Sequence, residues 1–241
     1  MGNRTELADT KVKRIPGITG LKIAEIPAAI TQDHSQVLYF WQKSGLKKAV
    51  LFHVDAHADM NSGIDACLKD IDNINFICPA VHYGIVSDIY WLNPYSIIRK
   101  LQDMGSSSPE RKRSRIELAT FVENKRIRWK EEGHEISAGS GNIISPEQIH
   151  VPEGLILDID LDAFCCSCPS NTLSRENPTK NWEKRVAEAM GLLEKLRKPS
   201  LITITRSQGI EDDILDRYVP ADKVDAVQEI TVRELQRIYR R

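Results

Sequence analysis

The 241-residue sequence predicts an α/β protein, a three-layer sandwich built on a mostly parallel sheet. Three observations carry that prediction. Apolar runs at Ala49–Val54, Gly154–Asp160 and Ser200–Thr205 are short enough to be buried strands. A long amphipathic segment separates the last two, giving strand, helix, strand and hence a parallel pair. Two of the strands also end in acidic residues spaced two apart, at the edge where open parallel sheets bind ligands.

Each element has a local reason. Asp33 to Gly45, DHSQVLYFWQKSG, reads as a helix with Asp33 as its cap and Gly45 as its stop, feeding the strand at Ala49. GLILDID, Gly154 to Asp160, is apolar until its acids. In Asn181 to Lys198, the apolar positions Val186, Ala189, Met190, Leu193 and Leu196 follow helical spacing. Lys and Arg gather at the end of that segment, as the helix dipole favours, and Pro199 stops it. SLITIT is rich in β-branched residues, which suits a strand. Asp222 to Arg241 reads as a closing amphipathic helix.

Composition narrows the function classes. Hydrophobic residues make up 41% of the chain, enough for a core, and the net charge of −1 gives no general pull toward nucleic acid or membrane. No apolar run approaches the ~20 residues of a membrane span. The N-terminus MGNRTELADTKVKR lacks the apolar stretch of a secretory signal, and Glu6 stands where a myristoylation signal has Ser or Thr. The expectation is a cytoplasmic protein. Of the five cysteines, Cys165, Cys166 and Cys168 lie within four residues. That is no disulfide framework; a reducing compartment and small buried thiols fit better. The expected organisation is one domain over 1–241. It carries a basic surface insertion at about 105–142, where Gly105–Lys130 has more basic than acidic residues and Ser137–Asn142 is rich in Gly and Ser. That insertion reads as a solvated face or as a docking surface for an acidic partner.

The chemistry lies in HVDAHADM and DIDLD. His53, Asp55, His57 and Asp59 recur at every second position, and so do Asp158, Asp160 and Asp162. If the first strand runs on, its four ionisable groups share one face. Burying them unpaired would cost several kcal/mol each, on the order of a lost hydrogen bond or more. Converging carboxylates also raise one another's pKa. Divalent cations relieve both problems, and a carboxylate-rich set with a few imidazoles suits manganese better than a thiolate zinc site. Asp33-His34-Ser35 precedes the helix that leads into the first acidic strand, which makes His34 a candidate third contributor.

Asp33-His34-Ser35, then Asp55-Ala56-His57-Ala58-Asp59, then Asp158-Ile159-Asp160 resembles the arginase/ureohydrolase superfamily, in that order along a parallel sheet. His34, Leu38 and Trp41, the DIDLD-plus-aromatic segment Asp158–Phe164, and Pro79-Ala80, Gly84, Trp91 and Pro94 resemble a shorter branch that includes peptide arginases. The likeness spans about residues 30–210. It implies an arginase-like fold holding two Mn2+ per chain. It also implies conversion of arginine to ornithine, with release of urea, in an arginine-containing precursor peptide. By the same resemblance Asp55 and Asp158 bridge the ions. His34 and Asp59 complete one site, and His57 and Asp160 the other. Asp162 then supports from outside the ligand set, and His53 orients a ligand. Asp59 and His82 are the candidates to relay a proton. Asn61, in Met60-Asn61-Ser62, falls in the segment after the first cluster and is a candidate substrate contact.

The chain departs from classical arginases in being shorter and in having Arg206 and Ser207 where those enzymes place a guanidinium-binding Glu. Glu211, Asp212 and Asp213 are the nearest acids, and Glu211 and Asp213 are the candidates for that role. Other readings stay open: a hydrolase of a small guanidine or an amide on the same fold, or a metal-stabilised domain without catalysis. DIDLDAF alone also resembles acidic motifs of lesion-bypass polymerases and haloacid-dehalogenase phosphatases. The first needs a far longer chain, and the second leaves DAHAD unexplained.

Overall fold

A computed structural model of the protein describes residues 18–57, 59, 71–95, 149, 151, 154–167, 179–209 and 218–240, with the backbone of 116–119, 121–122 and 126–127. The strands are β1 (Thr19–Ile23), β2 (Ile26–Thr31), β3 (Ala49–Val54), β4 (Val86–Leu92), β5 (Ile116–Ala119), β6 (Phe121–Val122), β7 (Arg126–Ile127), β8 (Leu155–Asp160) and β9 (Leu201–Thr205). The helices are α1 (Val37–Ser44), α2 (Ile77–His82), α3 (Trp182–Leu193) and α4 (Val224–Tyr239), with 3-10 turns at His34–Gln36 and Leu161–Ala163.

Seven strands form one sheet in the order β1-β2-β9-β8-β3-β4-β5. The inner five are mutually parallel, and β1 and β5 are antiparallel edges. This is the α/β architecture the sequence predicts. The apolar strands land where expected: β3 covers Ala49–Val54, β8 starts one residue after Gly154, and β9 one residue after Ser200. Asp33 caps the His34–Gln36 turn, accepting from Ser35 N–H, while Gln36 reaches back to the cap backbone. Gly45, at φ 74°, ends α1 in the left-handed region that Gly occupies freely. Helix α3 is shorter than predicted, stopping at Leu193, and Leu196 N–H turns back to Leu193 O before Pro199.

Elements without a sequence expectation sit mostly at the edges. The β1–β2 hairpin turns on Ala24 and Glu25, at φ 48° and 68°. A two-residue turn with both φ values positive normally announces itself as Asn-Gly or Asp-Gly, and that signal is missing.

Alternate residues of the strands pack on two separate cores. Val50, Phe52, Val54, Leu157, Ile159, Ile202 and Ile204 face α3 and α4. Leu51, Ile156 and Leu201 face α1 and α2, against Trp41, Phe76 and Ile77. Burying one such large apolar side chain contributes ~1.5–3 kcal/mol. No helix among the described residues is long and apolar enough to cross a membrane.

Candidate metal centre

The acidic cluster occupies the carboxyl ends of the central strands, on the face toward α1 and α2. Register builds it. His53 on β3 lies beside Asp158 on β8, which lies beside Thr203 on β9. One step on in period two, Asp160 lies beside Thr205, which lies beside Thr31 on β2.

The strand carrying His53 ends at Val54, so Asp55, His57 and Asp59 do not follow it by simple alternation. Asp55 bends the chain by accepting the N–H of His57 on its own Oδ1. Asp160 does the same with the N–H of Asp162, which starts the Leu161–Ala163 turn. Asp59 stands at φ 49° and Ser207 at φ 41°, two non-glycine residues in the left-handed region, both at this cluster. Side chains and backbone beyond the strand tips hold these bends. Trp91 Nε1 donates to Asp55 O, Asn93 Nδ2 to Ala56 O, and Tyr95 OH to Asp162 O.

His34 sits at the centre. Its Nε2 is 2.9 Å from Asp158 Oδ2, and its Nδ1 is 2.9 Å from Asp59 Oδ2, 3.0 Å from Asp160 Oδ2 and 3.2 Å from Asp55 Oδ2. His53 spans two carboxylates, with Nδ1 2.8 Å from Asp158 Oδ2 and Nε2 3.4 Å from Asp55 Oδ2. His57 Nδ1 lies 2.9 Å from Asp162 Oδ2 and 3.5 Å from Asp55 Oδ1. The Phe76 ring closes the apolar side, 4.5 Å from the His34 ring. His57 is the most open member, its side chain 28% exposed.

Charge crowding dominates the electrostatics. Burial alone would lower His34, but Asp158 and Asp160 outweigh it and raise that imidazole well above its usual value. His57 is pushed up to about 12, because Asp162 and Asp55 outweigh burial. Burial, then the charge of Asp55, lifts Asp59 to about 6. Burial raises Asp160 and Asp162 as well. Asp158 goes the other way: despite burial, His34 and His53 hold it well below the usual carboxylate range. The imidazoles are thus biased toward their protonated form, and Asp59, Asp160 and Asp162 toward their neutral form, both of which lower the net negative charge of the cluster.

The donor set fits divalent cations. His57 Nε2 is buried with no hydrogen-bond partner, and His34 Nδ1, His53 Nε2 and Asp55 Oδ2 are buried with charged neighbours at 2.9–3.4 Å but no aligned hydrogen bond. Among the described residues, His34, His53 and Asp55 bring one ligand atom each within 4.8 Å of one another, and so do Asp55, His57 and Asp162. Imidazole nitrogens and carboxylate oxygens are the ligands such ions take, and Asp55 belongs to both groups.

Of the residues proposed from the sequence, His34, Asp55, His57, Asp59, Asp158 and Asp160 are brought together. The grouping differs from the one implied by resemblance. His57 pairs with Asp162 and not Asp160, because the turn at Leu161–Ala163 carries Asp162 across to it. His53 stands as close to the carboxylates as His34 does. His82 is not brought to the cluster. It is exposed at the end of α2, two residues from Gly84, whose carbonyl accepts from Lys48 N–H at the start of β3. A six-residue strand, roughly 20 Å, separates that end from the acids. Asn61, Glu211 and Asp213 lie outside the described residues, as do Cys67, Cys168 and most of the basic insertion; Cys165 and Cys166 are buried.

Sequence reading missed the hydroxyl support. Thr203 Oγ1 donates to Asp158 Oδ1 at 2.6 Å, and Ser207 Oγ donates to Asp160 Oδ2. The alternation of Thr203 and Thr205 in SLITIT was the available signal, since it puts both on one face.

No family model matches the chain, and no curated protein does. Among solved structures it is similar to proclavaminate amidino hydrolase from Streptomyces clavuligerus, at 12% identity and a TM-score of 0.41. The likeness covers 88% of this chain and 63% of that one, so the chain spans less than two thirds of the length of the protein it matches.

Proposed function

We propose that this chain is a binuclear metal hydrolase of guanidinium C–N bonds, acting with two Mn2+ on arginine side chains of a precursor peptide to leave ornithine and urea. One observation carries the reading: a single buried carboxylate, Asp55, belongs to both ligand groups, amid converging imidazole nitrogens at the carboxyl edge of a parallel sheet. His34, Asp55, His57, Asp59, Asp158 and Asp160 would hold the ions, with His53 and Asp162 beside them. A pair of cations supplies a water acidified toward neutral pH and a positive field at the carbon under attack.

The protein's own residues do the remaining work. The carboxylates and Phe76 are buried, which strengthens every charge interaction among them. Asp59 Oδ2, held 2.9 Å from His34 Nδ1, is the atom assigned to pass a proton to the departing amine. Glu211 and Asp213 are assigned to grip the planar guanidinium by paired hydrogen bonds. The basic residues Arg111, Lys112, Arg113 and Arg115 would attract an acidic segment of the peptide; replacing all four with Ser should weaken peptide binding, most at low salt.

The test is mass spectrometry of an arginine-containing peptide after exposure to the Mn2+-loaded chain, beside elemental analysis. Two ions per chain and a loss of ~42 Da per arginine (urea leaving, water entering) are expected. An intact peptide with two bound ions would favour a second reading, a metal-stabilised domain without catalysis or one with another guanidine or amide substrate. The end of β9 favours that alternative: Arg206 turns to Asp225 and Gln228 on α4, and Ser207 is occupied by Asp160, so neither position offers a carboxylate to a guanidinium.

A further inference from the structure

Asp158 is the most enclosed carboxylate of the cluster, and its two oxygens are used differently. Oδ2 faces His34 and His53, at 2.9 and 2.8 Å. Oδ1 takes a 2.6 Å hydrogen bond from Thr203 Oγ1. Behind Thr203 stands Trp41, whose Nε1 lies 3.2 Å from the same hydroxyl oxygen. Trp41, Thr203 and Asp158 are all fully buried.

The direction of this chain of bonds is fixed by chemistry. An indole N–H can only donate, so Thr203 Oγ1 must accept from Trp41. Its single proton is then left for Asp158, which in its ionised form can only accept. A hydroxyl free to rotate is thereby locked on one oxygen of one carboxylate. Trp41 lies about two turns along the helical segment from His34, so one segment carries both an imidazole at the cluster and the anchor of the opposite side. The loop closes on itself: His34 to Asp158, Asp158 to Thr203, Thr203 to Trp41, and back through the helix.

We infer that Thr203, oriented by Trp41, is the positioning residue of Asp158, holding the carboxylate plane so that Oδ2 alone faces the cations. This rests on the metal reading above and deepens it. Groups that fix a ligand from behind typically change metal affinity 10- to 100-fold when removed.

Titration calorimetry of the full-length, metal-stripped chain with Mn2+ tests it, with Co2+ absorption as a second readout of ligand geometry. Thr203→Val keeps the shape and removes the hydroxyl; it should weaken cation binding 10- to 100-fold and alter the Co2+ spectrum. Thr203→Ser restores the hydroxyl and should return affinity to within about threefold of the parent. Thr203→Val binding like the parent, or Thr203→Ser failing as Thr203→Val does, overturns the inference while the metal site stands. A parent chain that binds no cation overturns the site and the inference together. Should Thr203→Val not fold, Trp41→Phe decides: weakened binding supports the chain of bonds, and unchanged affinity overturns it.

Discussion

The two faces of the central strands are built from the same backbone and end differently. Toward α3 and α4, Phe52, Val54, Leu157, Ile159, Ile202 and Ile204 stay apolar to the strand tips. Toward α1 and α2, Leu51 gives way to His53, Ile156 to Asp158 and Asp160, and Leu201 to Thr203 and Thr205. The first face supplies hydrophobic stabilisation throughout. The second stops doing so at its carboxyl end and spends its positions on charge. Such a change is tolerable only where the groups compensate one another or a ligand does so, because an unpaired buried charge is costly. Stability and chemistry are therefore separable by face, and substitutions should sort accordingly.

The largest expected contrast is Asp55→Asn. It removes the carboxylate common to both ligand groups, so elemental analysis should find neither cation retained, while the metal-free chain keeps its circular dichroism. Retention of both ions would break the division between faces. Next comes Phe52→Ala on the apolar face, which should cost about 3–5 kcal/mol by urea unfolding. Cation stoichiometry should survive in whatever fraction stays folded.

A pH series sharpens the polar face alone. In the metal-free protein the folded values of His57, about 12, and Asp59, about 6, both exceed their unfolded ones. The folded chain therefore binds extra protons, through Asp59 from about pH 4 to 6 and through His57 from about 6.5 upward. The contribution of these two groups is fully present below those windows and is lost as pH rises through them, by up to ~1.4 kcal/mol per pH unit for each proton held. Cations compete with the same protons, so their stabilisation grows with pH. Thermal melts from pH 6 to 9, with chelator and with Mn2+, should diverge steadily; parallel curves would show that the ion does not replace these protons. The smallest effect is Asp33→Ala, which removes the cap before His34 and should cost about 1 kcal/mol in chemical denaturation.

Much of this was legible in the chain. Asp33 and Gly45 bound the first helical segment, Pro199 follows the second, and the apolar runs became β3, β8 and β9, because capping chemistry, helical spacing and β-branching act within a few residues. The acids at the strand tips could be read the same way, and so could the expectation that they meet a cation. Sequence could not show that β8 lies between β3 and β9, aligning His53, Asp158 and Thr203 in one row. Nor could it show that Asp162 swings to His57, that His53 joins the carboxylates, or that His82 lies at the far end of the sheet. Periodicity reports which face a side chain takes. Which strand stands beside it, and in what register, is set by contacts between residues more than a hundred positions apart, and those exist only once the sheet has assembled.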